Sequence, residues 1–191
     1  MEEVKDRRDA AVKTLAKAHH DDPPYGYLDI EFCYLQVRRI CEMLALAVLI
    51  AHNEIDGFRS KKLMKEWNAD ALFGELSKLN ATSFPRAARF APDDQAGVYV
   101  ATIANEGMLT RAGLTKIYHA CSQGLHAGSL RRMLEHGPLR YNVTDVVSWL
   151  HEIVRLLDTH VVMLPNGKMM TVEMTGGPDD SVICHMDVLD L

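Results

Sequence analysis

The stretch "DIEFCYLQVRRICEMLALAVLIAH", residues 29–52, decides the fold. Apolar side chains recur through it at three- and four-residue intervals, and from Met43 to Ala51 they are continuous. A helix that is apolar nearly all round is one buried on most sides. Asp29 is placed to cap it, and a helix from there to about His52 would measure roughly 35 Å, the span of a small domain. We read it as the spine of the molecule. The run Met43–Ala51, even extended back through Glu42 to Ile40, falls short of the about 20 apolar residues that crossing a bilayer takes, which predicts no membrane span.

Upstream, residues 3–19 carry Val4, Ala11, Val12, Leu15 and Ala18 on one side and charges elsewhere, which predicts a first helix. "DDPPYGY" ends it, because Pro23 and Pro24 cannot continue a helix. Downstream, "NADALFGELSKLN" predicts a helix capped by Asn68, with Leu72, Phe73, Leu76 and Leu79 as its apolar face. "ATSFPRAARFAPDD" has no helical period and two prolines, so it reads as an irregular connection. "GVYVATIAN" alternates like a strand and pairs in this reading with residues 87–91. Thr110 caps a helix ending near His126, before Gly128. Asn142 or Thr144 caps another, "DVVSWLHEIVRLLDTHV", which takes in both His151 and His160. Then the period changes: Asn166-Gly167 between apolar runs signals a hairpin, and "SVICHMDVL" adds a third strand.

The fold class is therefore α+β and predominantly helical: a bundle of about five helices with a small antiparallel meander at the C-terminus. In domain terms, residues 1–160 form the bundle with a short β insertion near 88–104. Residues 161–191 form a meander packed on the same domain.

The chain has 191 residues, enough for one well-buried core. Its net charge of −5 argues against a broad cationic surface for duplex DNA. Local basic clusters at Arg59, Lys61, Lys62 and Lys65, and at Arg131 and Arg132, read as solvated faces. The four cysteines, at 33, 41, 121 and 184, form no CxxC pair, so no zinc knuckle is expected; a buried thiol is the simplest reading of the first three. The charged N-terminus lacks the apolar core of a signal peptide, which predicts a cytoplasmic protein. No cofactor or metal is expected.

Two constellations carry chemistry. On the spine, Arg38 and Glu42 each fall within about 20° of Glu31 on a 3.6-residue period, with Arg39 three residues before Glu42. These are either ion pairs at the edge of the bundle or a polar notch kept for a ligand. In "KIYHACSQGLHAGSL", residues 116–130, His119, Ser122 and His126 share one face with Thr115, while Leu114, Ile117, Cys121 and Leu125 share the other and Tyr118 is marginal. Two histidines beside a hydroxyl make an acid–base set, but no acidic residue within the stretch orients them. Near-misses are structural: "HEIVR" has Arg155 where a zincin needs histidine, and His19-His20-Asp21-Asp22 are four adjacent side chains before a proline pair.

"DIEFCYLQVRRICEMLALAVL" followed much later by "LTKIYHACSQGLHAG" resembles the layout of HEPN-like helical domains, over about residues 28–55 and 110–128. The resemblance implies a four- or five-helix bundle that often dimerises. It implies either a metal-independent ribonuclease of toxin or phage-defence type or an inactive nucleotide- or protein-binding module. The nuclease motif of that family has an arginine, then four to six intervening residues, then a histidine. With His126 as that histidine, the corresponding positions hold His119, Ala120 and Cys121, and the arginine is missing. Either His119, when protonated, or Arg38 from the neighbouring helix would then have to supply the cation.

Three functions follow. The first is a noncatalytic HEPN-like binding or protein-interaction module, acting as a homodimer or on a protein partner. The second is a ribonuclease using His126, His119 and Arg38, with Glu42 orienting one of them and RNA as the substrate. The third is a purely structural accessory protein. Ser122, Glu31 and Arg39 are the binding candidates around that centre.

Overall fold

The computed structural model describes residues 1–18, 26–52, 63–93, 98–104, 107–126, 134, 141–165, 167–175 and 177–188. Among these are five α-helices: α1 (Glu2–Ala18), α2 (Tyr27–Ala51), α3 (Ala69–Leu79), α4 (Arg111–Leu125) and α5 (Val143–Leu157). There are five strands: β1 (Arg86–Asp93), β2 (Val98–Ile103), β3 (Thr159–Met163), β4 (Lys168–Glu173) and β5 (Ile183–Val188). The layout is the predominantly helical α+β arrangement that the periodicities imply. The His19–Asp22 cluster, Arg59, Lys61, Lys62, Arg131, Arg132 and the "LRRMLEH" segment apart from Leu134 lie outside the described residues.

α2 is the spine. Cys33, Val37, Ile40, Cys41, Leu44, Ala45 and Val48 are buried along it, and α1, α3, α4 and α5 all pack on it. Each fully buried aliphatic side chain in such a seam contributes about 1.5–3 kcal/mol. The helix starts earlier than Asp29 suggests. Its N-cap is Gly26, and Asp29, three positions in, accepts the Gly26 N–H at 3.2 Å. A carboxylate reaching back to the cap is the second half of a capping box, so Asp29 satisfies the Gly26 N–H from inside the first turn.

The other caps follow their side-chain oxygens. Asn68 accepts from Ala71 N–H at 3.1 Å, Thr110 from Gly113 N–H at 3.1 Å and Asn142 from Thr144 N–H at 3.0 Å. The apolar stripes are narrower than the sequence pattern: Val12 and Leu79 sit at stripe edges and are exposed. Tyr118, marginal by spacing, is instead buried.

All five strands join one antiparallel sheet in the order β2-β1-β3-β4-β5. The joint between the two β regions is short, Arg86↔Val161 and Ala87↔His160. Beyond it β1 runs on against β2, from Ala88↔Ile103 to Asp93↔Val98. The insertion near 88–104 and the C-terminal meander are thus parts of a single sheet. One sheet face closes the helical core with Ala87, Val162 and Val172, and the other gathers Ala88, Val161 and Met169 into a smaller cluster.

His160 does not continue the helix of His151. α5 stops at Leu157, and β3 begins at Thr159. The β-branched Thr159, Val161 and Val162 fit a pleated, half-buried surface better than a helical turn.

Candidate functional site

Of the sequence-derived residues, Arg38, Arg39 and Glu42 gather at the α2–α4 seam. The two helices approach closely at Gly124, where a Cβ would lie 2.7 Å from two carbons of the Tyr34 ring. Only glycine permits that approach, and it brings the buried face of α4 (Leu114, Ile117, Tyr118, Cys121) down onto α2.

Arg38, Arg39 and Glu42 form one cluster. Arg38 Nε lies 3.0 Å from Glu42 Oε1, and Arg39 Nη1 lies 2.9 Å from Glu42 Oε2. The Glu42 side chain is 7% exposed, so both carboxylate oxygens are occupied by guanidinium donors rather than by water. The Arg38 guanidinium also lies 5.7 Å from the centre of the Tyr118 ring, within cation–π range. Burial raises the Tyr118 phenol above its ordinary value, with the charge of Glu42 adding to the rise and Arg38 opposing it. Two guanidiniums against one carboxylate leave the notch with a net charge of +1.

His119 is drawn to the other side. Its Nε2 is 3.2 Å from Asp70 Oδ2, and the Thr115 hydroxyl donates to Asp70 Oδ1 at 3.1 Å. Asp70, in the first turn of α3, is the orienting acid that the α4 stretch itself lacks. The pair is half exposed on both sides, so it positions an imidazole but contributes at most about 1 kcal/mol to stability. The Ser122 hydroxyl donates at 2.8 Å to the Tyr118 carbonyl one turn back.

The remaining candidates stand apart. His126 is the C-cap of α4, exposed and in extended backbone, and makes no hydrogen bond to a described residue. Glu31 is half-buried at the opposite end of α2, where its charge acts on the Tyr141 phenol. That phenol belongs to an edge-to-face aromatic cluster with Tyr27, Tyr34 and Trp149. The structure therefore joins Arg38, Arg39 and Glu42 to Tyr118. It gives His119 the partner Asp70, and it leaves Glu31 and His126 outside both groups.

The thiols of the seam are not poised as nucleophiles. Burial pushes Cys121 up to about 12 and Cys33 up to about 11, and holds Cys41 well above the ordinary thiol range. Among the described residues no group of three or more metal-ligating side chains is assembled, and no helix is long and apolar enough to cross a membrane.

In comparisons with protein-family models, curated proteins and solved structures, none matches the chain.

Proposed function

We propose that this chain is a noncatalytic, HEPN-like helical binding module that pairs with a second copy of itself through the outer face of α2. The observation that carries the reading is an exposed apolar stripe on that helix. Leu28 is 74% exposed, Phe32 39%, Leu35 40%, Leu46 38% and Ile50 71%.

The stripe is nearly palindromic about Arg39: Leu28 and Ile50, Phe32 and Leu46, and Leu35 and Met43 are equally distant from it in sequence. All six lie within about 40° of the Arg39 direction on a 3.6-residue helix. Two copies of α2 running antiparallel across a two-fold axis would set each residue of a pair against its counterpart, the self-complementarity that a two-fold interface requires. Near the axis each Arg39 keeps its own Glu42 as a counter-charge.

In sedimentation experiments the full chain should run at twice its monomer mass. Leu35→Glu combined with Leu46→Glu should return it to the monomer while changing the monomer's own stability by no more than about 1 kcal/mol, since both side chains point outward. A wild-type chain that stays monomeric at high concentration would refute the pairing.

A metal-independent ribonuclease is the second reading, favoured by the Asp70–His119 pair. On the binding-module reading, a labelled RNA pool stays intact at stoichiometric protein. Cleavage that resists EDTA and disappears in both His119→Ala and His126→Ala would put the ribonuclease first.

A further inference from the structure

A cavity of about 220 Å³ lies between the C-terminal half of α2 and the helix-facing side of the sheet. Its walls are apolar, chiefly Leu44 and Val48 from α2 and Val162 and Val172 from the sheet. The lining also takes in the buried His160, the exposed Cys184 and Met1, whose α-ammonium charge acts on His160. His160, Val172 and Cys184 are cross-strand neighbours in a single row of β3, β4 and β5, and all three line the cavity.

The chemistry of His160 is fixed by its other nitrogen. Nδ1 lies 3.0 Å from the Leu157 carbonyl, which can only accept, so Nδ1 carries the proton. A neutral imidazole has one N–H, and Nε2 is then a bare acceptor. His160 is 1% exposed, and its Nε2 has no hydrogen-bond partner among the described residues. Burial holds the ring neutral by lowering its pKa to about 4.

We infer that this cavity is a binding site for a small uncharged apolar molecule bearing one hydroxyl, whose O–H donates to His160 Nε2. A cation finds no carboxylate in these walls. A plain hydrocarbon fills the volume but leaves the imidazole acceptor unpaired, which costs about 1–3 kcal/mol. An apolar cavity of about 150 Å³ admits benzene, so this one has room for a substituted phenol. Cys184 at the rim is exposed, whereas Cys33, Cys41 and Cys121 are buried, so it is a built-in reporter of occupancy.

The test is a titration of the full chain, carrying ¹⁵N-labelled histidine, with 4-methylphenol and separately with toluene. Saturable binding of 4-methylphenol is expected, with the Nε2 resonance of His160 moving and the Nδ1 proton retained. Toluene should bind about tenfold more weakly. Bound phenol should also slow the reaction of Cys184 with a maleimide, and Ala47→Phe, which fills the cavity from α2, should abolish binding. Absence of saturable phenol binding, equal affinity for toluene, or binding that survives Ala47→Phe in a folded protein would each overturn the inference.

Discussion

Between pH 6.5 and pH 4.5 the protein is expected to lose about 2 kcal/mol of folding stability. The cause is His160, whose pKa falls from an ordinary 6.5 to about 4 because its ring is buried. As the pH drops through 6.5 the unfolded chain takes up a proton on this residue, and the folded chain does not. The unfolded state is favoured by that proton, and the loss grows until the folded ring itself titrates near 4. Above 6.5 the residue is neutral in both states and contributes nothing to the pH dependence.

His52 adds to the effect in the same direction. It is fully buried, with Nδ1 on the Val48 carbonyl at 2.7 Å and Nε2 meeting Asn80 Nδ2 at 3.1 Å, and burial lowers its pKa as well. Urea midpoints measured from pH 7.5 to 4.5 would show the loss. Its onset above pH 5 separates it from ordinary carboxylates, which titrate at about 4. A His160 ring resonance that titrates near 6.5 would mean that water reaches the ring and would remove the effect.

Glu42→Ala is expected to cost about 3 kcal/mol, or roughly 9 °C in Tm for a chain of this size. The carboxylate is 7% exposed and holds two guanidiniums, but the two do not suffer equally from its loss. Arg39 is 55% exposed and returns to water. Arg38 is 19% exposed, lies against Tyr118 and would be left beside a protein surface with no counter-charge. The loss is therefore at the low end for breaking a buried pair. Replacing both partners, Arg38→Leu with Glu42→Leu, should recover most of it, because the desolvated charges disappear together. If the double variant is no more stable than Glu42→Ala, the cluster is not coupled in this way.

How much of this was legible in the sequence varies with the range of the interaction. α2 was plain, because a buried helix writes a 3.6-residue period into its own residues. Asn68, Thr110 and Asn142 were legible for the same reason: a cap acts within three positions of itself. β1 was harder to see. Pro85 just before it and Pro92 near its end suggest a loop, yet a proline at a strand's margins removes no central ladder bond.

The sheet order could not be read locally, since nothing near Ala87 points to His160. Asp70 was missed for a related reason. An acid in the first turn of α3 reads as compensation of the helix dipole, and its approach to His119 depends on how α3 and α4 dock. His160 was misplaced because Asp158 closes α5 without a glycine; the β-branched residues after it were the available signal.

The short joint between β1 and β3 has a consequence for the order of assembly. Arg86 and Val161 are about 75 positions apart, and α4 and α5 lie between them. Closing so long a loop carries an entropic cost that two residue pairs offset poorly until α5 has packed behind them. The helices should therefore collapse around α2 first, and the two halves of the sheet should meet last, as non-local strand pairings generally do. A chain cut short before β3 would hold a β1–β2 hairpin whose inner edge has no partner, and open backbone edges are where nascent chains aggregate or are proteolysed. Folding of this protein is thus committed late, by about the last quarter of its sequence.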